Sequence, residues 1–336
     1  MRLGTGFKIG IGLVVSTVCL WLAVRQAPFA ELGDALGQVN YWWLVVAALA
    51  GVVNMWARGC RWRILLAERG TRMEYFWVQC IGALLTNVFP LRAGEAGRVV
   101  IVNRRLGLPL VQVGASVVLE RAVDLGAVLS LLAIMLLVMD VPWAVAAAGL
   151  ALSAGLVGAW VGVLVLLLLG RRLTGLVETL ARRLPSRFEQ LALDAWGHVL
   201  TALEPLRQPG VVLWVLLWSA VVWLATAAQF WAAIEAVVPG ARLLEATFAL
   251  TATALGVALP SSPGFIGVFQ LVGQQALATP FPDRYTPASA LLIALLNWAT
   301  FYVSSSALGL VGLMRLGLSL RAARSTDEAP EAAPGG

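Results

Sequence analysis

Six long apolar runs leave this chain few ways to bury its backbone polar groups: Ile9–Val24, Tyr41–Ala57, Val113–Met139, Val141–Leu169, Val211–Val238 and Ala288–Met314. A bilayer core is crossed by roughly 20 helical residues. Within hydrocarbon a helix satisfies its own N–H and C=O groups, so each run reads as a membrane span. Composition agrees. Charged residues make up 12% of the 336-residue chain, about half the share of an average soluble domain. Hydrophobic residues reach 60% and mean hydropathy is +0.85. No stretch between apolar segments is longer than Gly170 to Gly210, which leaves no room for a large soluble domain. The expected fold is an all-α, polytopic integral membrane helix bundle. The basic start at Arg2 and Lys8 has no small-residue cleavage site after it, so the first run reads as an uncleaved span.

Two further apolar arms, Phe76–Phe89 and Ala246–Leu259, are too short to cross. Each ends in a Pro/Gly-rich tip: Asn87-Val-Phe-Pro-Leu-Arg-Ala-Gly-Glu95 and Leu259-Pro-Ser-Ser-Pro-Gly-Phe-Ile-Gly267. Irregular backbone at membrane depth persists only inside protein or beside a wet cavity. A matched pair of broken segments in the two halves of a chain marks a transporter's substrate site. With Met1 placed in the cytoplasm, Lys and Arg divide twenty inside to three outside, which fixes the orientation by the positive-inside rule. The first short arm then enters from inside and the second from outside. The layout is about six full spans plus two opposed re-entrant hairpins, as an inverted repeat would produce.

Four clusters carry candidate chemistry. At the end of the second span, Arg58, Arg61 and Arg63 exceed what membrane anchoring requires and suit an anionic headgroup. The inner tip holds Asn87, Pro90, Arg92, Gly94, Glu95 and Arg98; Pro90 and Gly94 turn the chain, and Glu95 and Arg98, three apart, can pair on one helix face. Within the Val113–Met139 run, Glu120 and Asp124 share a face and Arg121 can pair with either. Ionisable groups at that depth are expensive and tend to face a bundle interior. At the outer tip, Pro260, Ser262, Pro263, Gly264 and Gly267 preclude a continuous helix, and freed amides before the next arm favour an anion. Gln270, Gln274 and Gln275 follow, polar enough to line a cavity.

The three cysteines, Cys19, Cys60 and Cys80, form no disulfide or metal pattern, and the lone His198 lies in a polar loop without a partner. No cofactor, metal or catalytic residue is expected, and nothing points to nucleic acid. Leu173, Leu176, Val177, Leu180 and Leu184 recur at helical spacing among arginines, as an amphipathic helix within the cytoplasmic loop 170–210 would require. The segment 317–336 has the composition of a disordered cytoplasmic tail.

Together, Arg58…Arg61-Trp62, Asn87-x-x-Pro90-x-Arg92-x-Gly94-Glu95-x-x-Arg98, Glu120-Arg121-x-x-Asp124 and Pro260-x-Ser262-Pro263-Gly264-x-x-Gly267 resemble the flippase-like membrane domain of the lysylphosphatidylglycerol synthases (multiple peptide resistance factors) and its stand-alone relatives. The resemblance spans the first run to Met314, so residues 1–316 form one such domain. It implies a translocator of lipids or lipid-linked substrates in a bacterial-type inner membrane; six crossings and the arginine count put both termini in the cytoplasm, and the arginine clusters point to anionic membrane lipids. Because the chain ends soon after Met314, it also implies absence of the aminoacyltransferase domain, hence no enzymatic activity, and a possible lipid-modifying enzyme as partner. Relatives often carry a charge after the outer tip, where this chain reads Val268-Phe269-Gln270. Two other functions fit the same residues: a membrane-embedded transferase on a lipid-linked donor, with Glu95 or Asp124 as base, and a scaffold for an envelope-lipid enzyme.

Overall fold

The computed structural model describes residues 2–89, 93–138, 155, 158, 172–183, 185–257 and 262–318. Its described elements are helical: α1 (Arg2–Arg25), α2 (Phe29–Gly37), α3 (Tyr41–Leu65), α4 (Arg72–Val88), α5 (Ala93–Leu106), α6 (Leu110–Val138), a stretch over 172–181, α7 (Ser186–Leu203), α8 (Pro209–Val237), α9 (Leu243–Gly256), α10 (Val268–Ala278) and α11 (Pro287–Leu316). Single 3-10 turns occupy Glu204–Arg207 and Pro263–Phe265. The expected span Val141–Leu169 lies outside the described residues, apart from 155 and 158, as does the tail from 319.

Local sequence sets the helix ends. Asn40 caps α3 by accepting from the Trp42 amide at 3.2 Å. Thr71 and Glu74 form a reciprocal capping box at the start of α4, at 3.2 and 2.8 Å. Thr286 caps α11 ahead of Pro287, whose missing amide costs nothing at a first helical position. Gly317, at φ +64°, closes α11 in the left-handed conformation.

Among the described residues, three helices, α3, α8 and α11, are long and apolar enough to cross a membrane. Their outward faces suit lipid: Trp42, Trp214, Leu216 and Val303 are all more than half exposed, a surface that a soluble protein would have to cover. At about 1.5 Å per residue, α4 and α9 with 17 and 14 residues fall short of the roughly 30 Å hydrocarbon core. Sequence and structure part at two boundaries. The second span does not stop at Ala57: α3 continues to Leu65, which places Arg58 and Arg61 within the helix. The first span is also followed by a break, with Gly12–Arg25 and Ala30–Gly37 bent by 83° at Pro28.

Helices α3 and α8 pack along their lengths, and α11 runs against α4 and α10. Two apolar clusters sit at opposite ends of α8 and α11. One gathers Trp62, Tyr75, Ile81, Leu85 and Ile101. The other gathers Phe230, Ile234, Leu250, Leu277 and Ile293. Between them lies the polar interior.

Candidate functional site

Helices α3, α4, α5 and α6 converge on an ionic cluster. Arg61, fully buried, donates from Nη2 to Asp124 Oδ1 at 2.7 Å and to Glu120 Oε1 at 3.4 Å, and from Nη1 to Ser219 Oγ of α8 at 3.0 Å. Arg98 donates from Nη1 to Gln79 Oε1 at 2.6 Å and to Glu120 Oε2 at 3.1 Å. Its guanidinium carbon stands 4.8 Å from the centre of the Trp62 ring, within reach of a cation–π attraction. Arg58 donates from Nε to Asn54 Oδ1 at 3.1 Å and from Nη1 to Asp124 Oδ2 at 3.2 Å. Arg121 pairs with Glu95 at 3.4 Å and with its helix neighbour Asp124 at 3.5 Å.

Every carboxylate in the cluster therefore faces at least one arginine, and Glu120 and Arg61 have no exposed side-chain surface. Burial of this kind is tolerated because the pairs are mutually satisfied. Local spacing anticipated the α6 pairing of Arg121 with Asp124 and Glu120. It misplaced another pair. Glu95 and Arg98 do not settle on each other but turn to separate partners on α6, Arg121 and Glu120. The reason is packing: α5 lies so close on α4 that a methyl on Gly94 would strike the Gly82 carbonyl, and this brings Arg98 beside Gln79 and the buried end of Glu120.

A cavity of about 310 Å³ opens on this cluster. Arg58, Arg98, Arg121, Glu95 and Gln79 form its charged end. Rings form much of the rest: Phe230, Phe265, Phe269, Trp298, Phe301 and Tyr302. Both broken segments reach it. On the α4 side stand Asn87 and Gly94; on the other, Gly264 and Phe265. The two tips touch through α11: Asn87 Nδ2 donates to Ser305 Oγ and Ser306 Oγ at 3.1 and 2.9 Å, and Trp298 Nε1 donates to the Gly264 carbonyl at 2.7 Å. Gly264 (φ +68°) and Gly267 (φ +88°) need glycine both for conformation and for space, since a Cβ on Gly264 would meet the Tyr302 ring and one on Gly267 the Ser16 carbonyl of α1.

Of the expected site residues, Arg58, Asn87, Gly94, Glu95, Arg98, Arg121 and Gly264 line the cavity. Glu120 and Asp124 stand behind its charged end as partners of those arginines, and Arg61 shares both carboxylates with them. Ser262, Pro263 and Gly267 shape the outer tip instead; Ser262 donates its amide to Ser16 Oγ at 2.9 Å. Pro90, Arg92 and Pro260 lie outside the described residues. The glutamines of α10 do not line the cavity. Gln270 Oε1 accepts from the Gly267 amide at 2.6 Å, Gln274 Nε2 donates to the Ala23 carbonyl at 3.1 Å, and Gln275 Nε2 donates to Gln26 Oε1 at 2.8 Å, so the first closes the outer tip and the other two hold the end of α1 and the residue after it.

Sequence reasoning missed Asn54, Gln79, Thr226, Gln229 and Asn297. Asn54 Nδ2 donates to Thr226 Oγ1 at 2.8 Å and Gln229 Nε2 to Asn297 Oδ1 at 3.0 Å, joining α3 to α8 and α8 to α11. The available signal was an uncharged amide inside an apolar run, which is costly without a partner. A second buried cluster was also missed. Glu245, fully buried at the start of α9, accepts from Tyr285 Oη at 2.6 Å and lies 3.3 Å from Arg284 Nη1.

The fold and the cavity define a helical membrane protein with an arginine-bearing interior site. Residues 9–309 match the family described as lysylphosphatidylglycerol synthase TM region, and the chain belongs to that family. Glycosyltransferase AglD of Haloferax volcanii is 26% identical over 357 residues, covering 96% of this chain and 56% of AglD. The chain thus spans little more than half the length of that relative. No solved structure matches it.

Proposed function

We propose that the chain translocates a lipid or lipid-linked substrate, binding its anionic headgroup in the cavity between the two broken segments. The observation that carries this is the composition of the cavity wall: three arginines at one end, with both irregular tips meeting at its side. Arg58 and Arg98 engage the headgroup, and Arg92 adds charge at the inner tip. Arg61, Glu120 and Asp124 hold these side chains in place. The two segments act as opposed re-entrant hairpins within about six spans, the tips near mid-membrane. Residues 1–316 form one translocation domain, with 170–210 on the inner surface and both termini in the cytoplasm of a plasma-type membrane. Its substrates are anionic membrane lipids.

Liposomes provide the test. Purified protein speeds leaflet exchange of a fluorescent anionic phospholipid, and Arg58→Ala lowers that acceleration at least about tenfold, in line with the loss of a charge-assisted contact. Absence of acceleration with several anionic headgroups overturns the reading. One observation favours a second reading, transferase action on a lipid-linked donor: the similarity to a protein named as a glycosyltransferase over its aligned half. Product formation from such a donor, without leaflet exchange, would select it.

A further inference from the structure

The chemistry of the headgroup can be narrowed further, on the footing that the cavity is the headgroup site. At its charged end three buried donors make no hydrogen bond; one, Arg121 Nε, stands 3.4 Å from the Glu95 carboxylate, and two are left over. Arg98 Nη2 and Gln79 Nε2 are buried and have no hydrogen-bond partner among the described residues. Gln79 Oε1 accepts from Arg98 Nη1, so the amide orientation is fixed and Nε2 is left as a donor. A buried donor without an acceptor carries a desolvation penalty. Two of them, one on a guanidinium and one on a neutral amide, beside the cationic Arg58 call for an anionic oxygen cluster such as a phosphate.

The carboxylates are already neutralised, which disfavours a cationic head. Glu95, Glu120 and Asp124 are each engaged by arginine, so an ammonium group entering the cavity would compete with arginine for its counter-ion. The remainder of the wall is neither charged nor purely apolar. Trp298 and Tyr302, with ring centres 4.8 Å apart, face the same space as the neutral groups Asn54, Thr226, Gln229 and Asn297. An acyl chain placed there would strip water from these amides and hydroxyls without replacing it. A ring bearing hydroxyls suits both kinds of wall. Its hydroxyls meet the amides, and its C–H edges meet the negative faces of the aromatic rings. About 310 Å³ is near the lower end of small-molecule sites, roughly 300–1,000 Å³, which fits one such ring with its phosphate and not an oligosaccharide.

We infer that the cavity takes a lipid phosphodiester whose head is a single neutral polyhydroxyl ring, a sugar or a cyclitol, with the phosphate on Arg58, Arg98 and Gln79 and the ring on Trp298 and Tyr302. Native mass spectrometry of the purified full chain tests this with four lipids of matched acyl chains: phosphatidylinositol, phosphatidylglycerol, lysylphosphatidylglycerol and phosphatidylcholine. The expected order puts phosphatidylinositol above phosphatidylglycerol by about three- to tenfold, the range an aromatic contact supplies, with the lysyl lipid below both. Trp298→Leu and, separately, Tyr302→Leu bring the inositol-to-glycerol ratio towards one. That ratio is read within one sample, so a general loss of folded protein does not imitate it. Soluble glycerophosphoinositol displaces the lipid only weakly; displacement as strong as that by phosphatidylinositol would overturn the lipid assignment. Equal occupancy by phosphatidylinositol and phosphatidylglycerol, or a preference for the lysyl lipid, overturns the ring inference and leaves the anionic-headgroup reading standing. Equal binding of phosphatidylcholine overturns both.

Discussion

Arg61 and Arg58 lie one turn apart on α3 and share Asp124, yet they answer to different demands. Arg61 has no exposed side-chain surface and serves three acceptors on two helices; Arg58 keeps 19% exposure and borders the cavity. Removing Arg61 leaves Glu120 and Asp124 short of a partner where water cannot compensate. Arg61→Ala should therefore destabilise the fold by about 3–5 kcal/mol, measured as a lower midpoint in thermal or denaturant unfolding in detergent. Arg58→Ala should lose much less stability while lowering leaflet exchange of the anionic phospholipid. Similar stability loss in both variants would show that the two arginines are equivalent. At this scale the sequence disclosed what one helix can arrange by itself: the Arg121–Asp124 pair follows from spacing alone. It could not disclose that Arg98 faces Gln79 and Glu120, because spacing says which residues share a face and nothing about which face stands opposite.

Among the elements, the α4–α5 pair depends on two glycines. A methyl at Gly94 would collide with the Gly82 carbonyl and Thr86 Oγ1, neither of which lies at the end of a flexible chain. Gly94→Ala should thus push α5 off α4, costing about 1–3 kcal/mol by overpacking and drawing Arg98 away from Glu120. Unfolding in detergent gives the first effect, and the second appears as weaker anionic-lipid binding. Unchanged stability would mean that the helices separate freely. The brevity of α4 and α9 and the break at Pro263–Gly267 were legible from length and from the density of proline and glycine. The docking of α10 on α1 was not, since Gln274 and Gln275 satisfy backbone and side-chain groups some 250 positions away in the chain. Nor was the extension of α3 to Leu65, where arginines that look like a helix-end anchor are instead neutralised by α6.

For the whole molecule, apolar run length sufficed to identify a helical membrane protein, and the arginine distribution supplies an orientation that can be checked. Arg207 and Asp283 are exposed and lie beyond opposite ends of the bundle, one before α8 and the other before α11. With cysteines introduced singly as Arg207→Cys and Asp283→Cys, a membrane-impermeant maleimide should label the second from outside intact cells and the first only after permeabilisation. Labelling of both from the same side would overturn the orientation. A consequence of the shared seam on α11 follows at this scale. Asn87 from one broken segment and Gly264 from the other are fastened to the same helix within three turns, through Ser305, Ser306 and Trp298. Neither tip can be displaced without loading the bonds that hold the other. An occupant that shifts one tip thereby alters the affinity felt at the second, and by thermodynamic reciprocity the reverse holds to the same degree. On the proposed translocation reading, access from the two leaflets is then a single linked equilibrium rather than two independent gates.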